Sequence, residues 1–190
     1  MPLTRDQVVE AALTVAGDYG LGDLSMRRVA TELGVQAGAL YWHVGSKQEL
    51  LIAVARRVLD PAEGAAPWPG SPQAVLAEFR RRLLAIRDGA EIVAVAHADQ
   101  PSRLSPVPEL RDQLESLGRG DAGATAENLV RWTLGSVLTQ QTARSLAEAA
   151  DPGQPGSDRS DARFDRDFQD GLRTLLAAAV PEGHAAGPAA

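Results

Sequence analysis

The sequence has no cysteine in its 190 residues. That excludes a disulfide framework, a thiolate metal site and a cysteine nucleophile. No apolar run reaches the roughly 20 residues needed to span a bilayer. Asp6 and Glu10 interrupt any apolar segment near the start, so no signal peptide is expected and the protein is expected to be cytoplasmic. Strand-type alternation is missing, and no internal repeat is visible. There is no Gly-x-Ser-x-Gly, no phosphate loop and no His-Glu-x-x-His. Histidines number three, His43, His97 and His184. His97 and Asp99 could pair as a base and its orienter, but no nucleophile accompanies them. No enzyme, cofactor or metal is therefore expected.

Excess positive charge is lacking too. The chain carries a net charge of −6, which taken alone argues against a nucleic-acid partner. The acid is unevenly spread. Residues 1–60 hold six basic and seven acidic side chains, a net of −1, and the remainder is −5. Any grip on nucleic acid must come from a few well-placed cations.

What the sequence has is helical periodicity, and the expected fold is all-α. Thr4 and Gln7 have capping-box spacing, and Val8, Ala11, Ala12, Val15 and Ala16 form one apolar stripe, predicting a helix over Thr4–Tyr19. Ser25 caps a second helix with Val29, Ala30 and Leu33 inward. Gly34 supplies a turn, and a short segment Gln36–His43 follows, with Leu40 and Trp42 as core candidates. Ser46 and Glu49 repeat the capping-box spacing ahead of a helix to Asp60. Pro61–Pro72, with four prolines and two glycines, reads as a linker. Further helices are expected from Gln73, over Ile92–His97, over Glu109–Leu117, over Ala124–Ala149 and over Arg163–Val180. Asp151–Asp161 reads as a flexible loop. These patterns divide the chain into a head (1–60), a helical body (61–180) and a disordered tail (181–190).

Two short helices joined by a tight glycine turn form a helix-turn-helix. In such motifs the second helix enters the major groove with its N-terminal residues at base edges. The run LSMRRVATELGVQAGALYWHVGSKQELL, residues 24–51, resembles the DNA-binding head of the tetracycline-repressor (TetR) family. Arg87–Ala90 and Leu134–Leu138 extend that likeness into the regulatory domain of its tetracycline-binding subgroup. The resemblance implies a homodimer that represses transcription on a pseudo-palindromic operator of double-stranded DNA, under control of a small-molecule effector. It assigns base reading to Arg27, which has the bidentate donors that match guanine. It places Gln36, Ala37, Gly38 and Ala39 at the groove, and Tyr41, His43 and Lys47 at phosphates. Tetracycline-binding members carry Gln, Pro and Thr where this chain has Ala37, Gly38 and Ala39. Those polar contacts are lost, so the operator should differ and Arg27 should carry a larger share of the readout. The competing reading is a helical ligand-binding or adaptor protein whose degenerate head no longer binds DNA.

For the body, the resemblance implies a bundle of four helices between subunits. Leu129, Thr133 and Val137 of the long helix and Phe168, Leu172 and Leu175 of the last helix are the candidates for that seam. The other reading of both stripes is that they bury themselves in their own subunit. Residues expected to line the effector pocket are Phe79, Val93, His97, Arg103, Asn128, Trp132 and Gln140. Each has a plainer role available, as core or surface. Val93 and Thr139 stand where tetracycline-binding members hold the drug's magnesium and its water shell, so a tetracycline–magnesium complex is not the expected ligand. The helix Ser46–Asp60 would relay ligand binding to the head as a shift between two populations.

Overall fold

A computed structural model describes residues 2–60, 67–151 and 158–179. These residues are helical, with no strand among them. The predicted linker falls partly, and the predicted tail wholly, outside the described residues.

The N-terminal helices follow from their caps. Helix α1 (Arg5–Tyr19) starts at the Thr4 capping box, where the Gln7 amide donates to Thr4 Oγ1 at 3.2 Å and the Thr4 amide donates to Gln7 Oε1 at 2.9 Å. Its stripe Val8, Ala12, Val15 and Ala16 is fully buried. Helix α2 (Met26–Glu32) is capped by Ser25, which accepts from the Arg28 amide. Gly34, at φ 66°, then reverses the chain, and the Val35 amide donates to the Ala30 carbonyl at 2.9 Å. That positive φ is cheap for glycine and costly for other residues. Helix α3 (Ala37–Leu40) is a single turn. Helix α4 (Lys47–Leu59) is capped by Ser46, while the Glu49 carboxylate accepts from the Gly45 amide, one residue earlier than a capping box requires.

Five helices complete the body: α5 (Pro72–Leu84), α6 (Gly89–Asp99), α7 (Val107–Ser116), α8 (Ala122–Ala150) and α9 (Asp158–Ala179). Helix α6 begins three residues before the sequence suggests, because Asp88 adopts the left-handed conformation at φ 55° and starts it. Gly89 is obligatory next to it, since a Cβ there would lie 2.3 Å from the Leu83 carbonyl oxygen. Helix α9 begins at Asp158, inside the segment read as a loop.

One apolar cluster runs through both parts of the molecule, with α4 lying against α1 on one side and α6 on the other. Three polar connections reinforce that junction. The Leu21 amide donates to Asp88 Oδ2 at 2.8 Å, Arg56 to Gln100 Oε1 at 3.1 Å, and Arg82 to the Leu59 carbonyl at the end of α4. Arg82 is buried, donates to Glu78 at 2.8 Å and lies 4.1 Å from the Trp68 ring centre. Arg81 donates to both oxygens of the same carboxylate, sharing Oε1 with Arg82. These guanidinium bonds, Arg81 foremost, hold the Glu78 carboxyl down at about 2 against the opposing effect of burial. The run Arg80–Arg82 reads in the sequence as a solvated face. In the fold only Arg81 is exposed. Arg80 reaches over the Phe168 ring and donates to Gln140 and Asp165.

Gln141 closes the α5–α6 corner. Its side-chain amide donates to the Leu83 and Ile86 carbonyls at 3.2 and 2.8 Å and accepts from the Ala90 amide at 3.1 Å. Buried and fully satisfied, it ties α8 to the start of α6.

Candidate nucleic-acid interface

The helix-turn-helix is built with a shallow anchor. Within α3 only Leu40 is buried, followed by Val44 in the turn beyond it. Burying those two side chains, at roughly 1.5–3 kcal/mol each, is the apolar term that seats α3 on α2. Gln36 and Gly38 are exposed, and Ala37 and Ala39 half-buried. A Cβ at Gly38 would meet nothing within 4 Å, so this stretch of α3 is bare backbone and methyl groups. Tyr41 is exposed, and His43 is half-buried with its amide donating to the Leu40 carbonyl at 2.9 Å. Lys47 is exposed in the first turn of α4, where the leading backbone amides have no partner inside the helix.

Trp42 corrects the sequence reading. It is not a core residue but 90% exposed. The helix stops at Leu40, so the periodicity that makes Leu40 inward does not continue through Trp42.

The cations of the head sort into two groups. Arg57 pairs with Asp6 and Glu10 and thereby joins α4 to α1. Arg56 is engaged by Gln100. Arg28 pairs with Asp23 at 3.2 Å and lies 3.8 Å over the Tyr19 ring. Arg27, its neighbour, is exposed and its side chain makes no ion pair or hydrogen bond among the described residues, and the same holds for Lys47 and for Arg5 at the start of α1. The two adjacent arginines therefore differ in kind. One is spent inside the head, and the other is available.

The body arranges its expected residues differently. Phe79 and Val93 are fully buried core. Arg103 and Asn128 are exposed, while Trp132 is half-buried and stacked on Phe168 at 5.2 Å between ring centres. Gln140 is buried and held by Arg80 and Asp161. Of the seven pocket candidates only His97 borders a sizeable cavity, a groove of about 430 Å³ between α6 and α8. The sequence missed Ala94, Leu134 and Leu138, which line it; small residues on α6 facing leucines on α8 were the signal for it. Among the described residues no group of three or more His, Asp or Glu side chains could hold a metal ion.

The proposed seam residues are likewise redistributed. Leu129, Thr133, Val137, Phe168 and Leu172 are buried within their own subunit, and Leu175 is half-buried. The five buried side chains face their own subunit's core, and of the six only Leu175 reaches the surface. The outward stripe of α8 is instead Gly135, Thr139, Thr142 and Leu146, with Leu146 at 68% exposure.

A helix-turn-helix with bare backbone on its second helix and unpaired cations beside it, mounted on a larger helical body, defines a DNA-binding regulator of the two-part all-α class. The model for bacterial regulatory proteins of the tetR family matches residues 8–54. The class C tetracycline repressor protein of Escherichia coli is 35% identical over 153 residues, 77% of this chain and 70% of the relative. Among solved structures, BioQ with its double-stranded DNA operator superposes with a TM-score of 0.71 at 30% identity, covering 94% of this chain and 98% of that one. ActR of Streptomyces coelicolor, in complex with (S)-DNPA, gives 0.72 at 28% identity, covering 94% and 98%. The chain belongs to the tetR family of bacterial regulatory proteins, and is a transcriptional regulator with a helix-turn-helix DNA-binding head. No helix among the described residues is long and apolar enough to cross a membrane.

Proposed function

We propose that this protein is a cytoplasmic homodimeric repressor, not an enzyme, whose head of residues 1–60 grips a pseudo-palindromic operator through Arg27 and Lys47. The observation that carries this reading is the contrast between Arg28, locked onto Asp23 and Tyr19, and Arg27, exposed and unpaired beside it. Arginine at that place can donate two hydrogen bonds to guanine O6 and N7. Lys47, Tyr41 and His43 meet the sugar–phosphate backbone, aided by the first amides of α4. The methyls of Ala37 and Ala39 suit thymine methyl groups, and Gln36 adds one hydrogen bond. Two heads on a dimer read half-sites about one helical turn or a multiple of it apart.

The body, residues 61–180, is the regulatory part. A small molecule that binds it better in one spacing of the heads shifts the population towards that spacing. The path from body to head runs through α4, which the Arg82–Leu59 and Arg56–Gln100 connections tie to the body, while Asp88 holds the turn after α1 through the Leu21 amide.

Selection of bound sequences from a random duplex pool tests the proposal. It predicts an inverted repeat with a guanine in each half-site whose preference vanishes in Arg27→Ala. Recovery of unrelated sequences, or of none at low salt, would contradict it.

A further inference from the structure

The groove between α6 and α8 is walled by Ala94, Ala98, Leu134 and Leu138, with His97 and Arg131 as its principal polar side chains. Its volume, about 430 Å³, falls in the range of small-molecule sites, roughly 300–1,000 Å³. Two observations mark it as built for a ligand. His97 is only 5% exposed, and its Nε2 atom is buried with no hydrogen-bond partner. Buried polar atoms are almost always satisfied, and an orphan asks for a partner. The second observation is charge. Arg131 is the one charged residue on the wall, and no acidic side chain lines it. Its present partner is Glu127, an i,i+4 contact at 3.2 Å on the exposed face of α8. Such surface pairs are worth little and exchange readily.

We propose that this groove binds a small, largely apolar monocarboxylate, and that this acid is the effector. The apolar body lies on the alanines of α6 and the leucines of α8. The carboxylate takes the Arg131 guanidinium from Glu127, a planar donor that matches it in two parallel hydrogen bonds. A small turn of the His97 ring that brings its shielded Nε2 to the groove would let a second polar atom of the ligand satisfy it. The effector role rests on the reading of the body as regulatory, whereas the site and the ligand class stand on the groove alone.

The test uses the full-length dimer and two matched pairs of probes, octanoate with octanamide and 2-naphthoate with 2-naphthamide. Binding is followed by calorimetry, and operator release by fluorescence anisotropy. At least one acid should bind below about 1 mM, with its amide about tenfold weaker. Arg131→Gln should erase the acid-over-amide preference while leaving amide binding unchanged. Gly135→Leu fills open space at the groove edge, since a Cβ there meets nothing within 4 Å, and should weaken both probes while sedimentation still shows a folded dimer. Unchanged secondary structure and an unfolding midpoint no lower than that of the wild type in both variants keep the comparison valid. Equal binding of acid and amide, indifference to Arg131→Gln, or no acid binding at about 1 mM would overturn the proposed ligand class. An acid that binds as described but leaves operator affinity unchanged would overturn only the effector role.

Discussion

Head and body both spend polar side chains on their folds and differ in where the unspent cations stand. In the body, the buried arginines and glutamines are consumed by the fold, while Arg87, Arg103 and Arg166 stay exposed. Arg80, Arg82, Gln140 and Gln141 all lie in interhelical hydrogen-bond networks. In the head, Arg28, Arg56 and Arg57 are consumed in the same way, while Arg5, Arg27 and Lys47 are left to solvent. A protein with net charge −6 can therefore present a cationic reading surface. What counts is where the cations without an internal partner stand, beside the bare second helix of the motif, not the total.

The largest effect that would sharpen the comparison concerns where the body is filled and where it is bare. Leu172 is fully buried and Leu146 is 68% exposed, although both lie on apolar-rich helices. Leu172→Arg should lower the unfolding free energy by several kcal/mol, because it puts an unpaired charge in a packed core. Leu146→Arg should shift sedimentation towards the monomer and lower the urea midpoint only by the stability that association contributes, a loss that shrinks as protein is diluted. A folded, monomeric Leu172→Arg would return that residue to the subunit seam.

The next effect tests the Arg82 junction. The folded-state pKa of Glu78 is lowered from 4.5 to about 2. A depressed carboxyl contributes stability that is present above its unfolded value and is lost as pH falls towards the folded one. Stability of the wild type should therefore decline between pH 4.5 and about 2 more steeply than that of Glu78→Gln. Urea midpoints across that range decide it. Parallel curves would show that Glu78 does not contribute.

The smallest effect belongs to the spent arginine. Arg28→Ala removes a surface ion pair and a cation–π contact, so it should cost no more than about 1 kcal/mol of stability. It should leave the preferred operator sequence as it is. A loss of sequence preference would show that Arg28, too, faces the bases.

Much of this architecture was legible in the sequence because capping is a local affair. Thr4 with Gln7, Ser25 and Ser46 each start a helix where the spacing places it. Helix periodicity reports which residues are buried but not against what, so Leu129, Val137, Phe168 and Leu172 read first as a subunit seam although they fill their own subunit's core. Trp42 was misread because the helix that would carry it inward is one turn long. The start of α6 was hidden since a left-handed Asp88 is no recognised cap, and its value lies in the bond from Leu21, far away in sequence. For the candidate site, the resemblance singled out Arg27, and only the fold set it apart from Arg28. The groove was the least visible, being made by alanines whose role is to leave space.

The central claim is tested most directly by operator affinity as a function of salt for the wild type and Arg27→Ala, on the selected duplex and on a scrambled one. The account predicts that affinity falls steeply with salt for both proteins. It further predicts that Arg27→Ala costs about 1–3 kcal/mol on the selected duplex and much less on the scrambled one. Equal losses on both duplexes, or no measurable wild-type binding at low ionic strength, would contradict it.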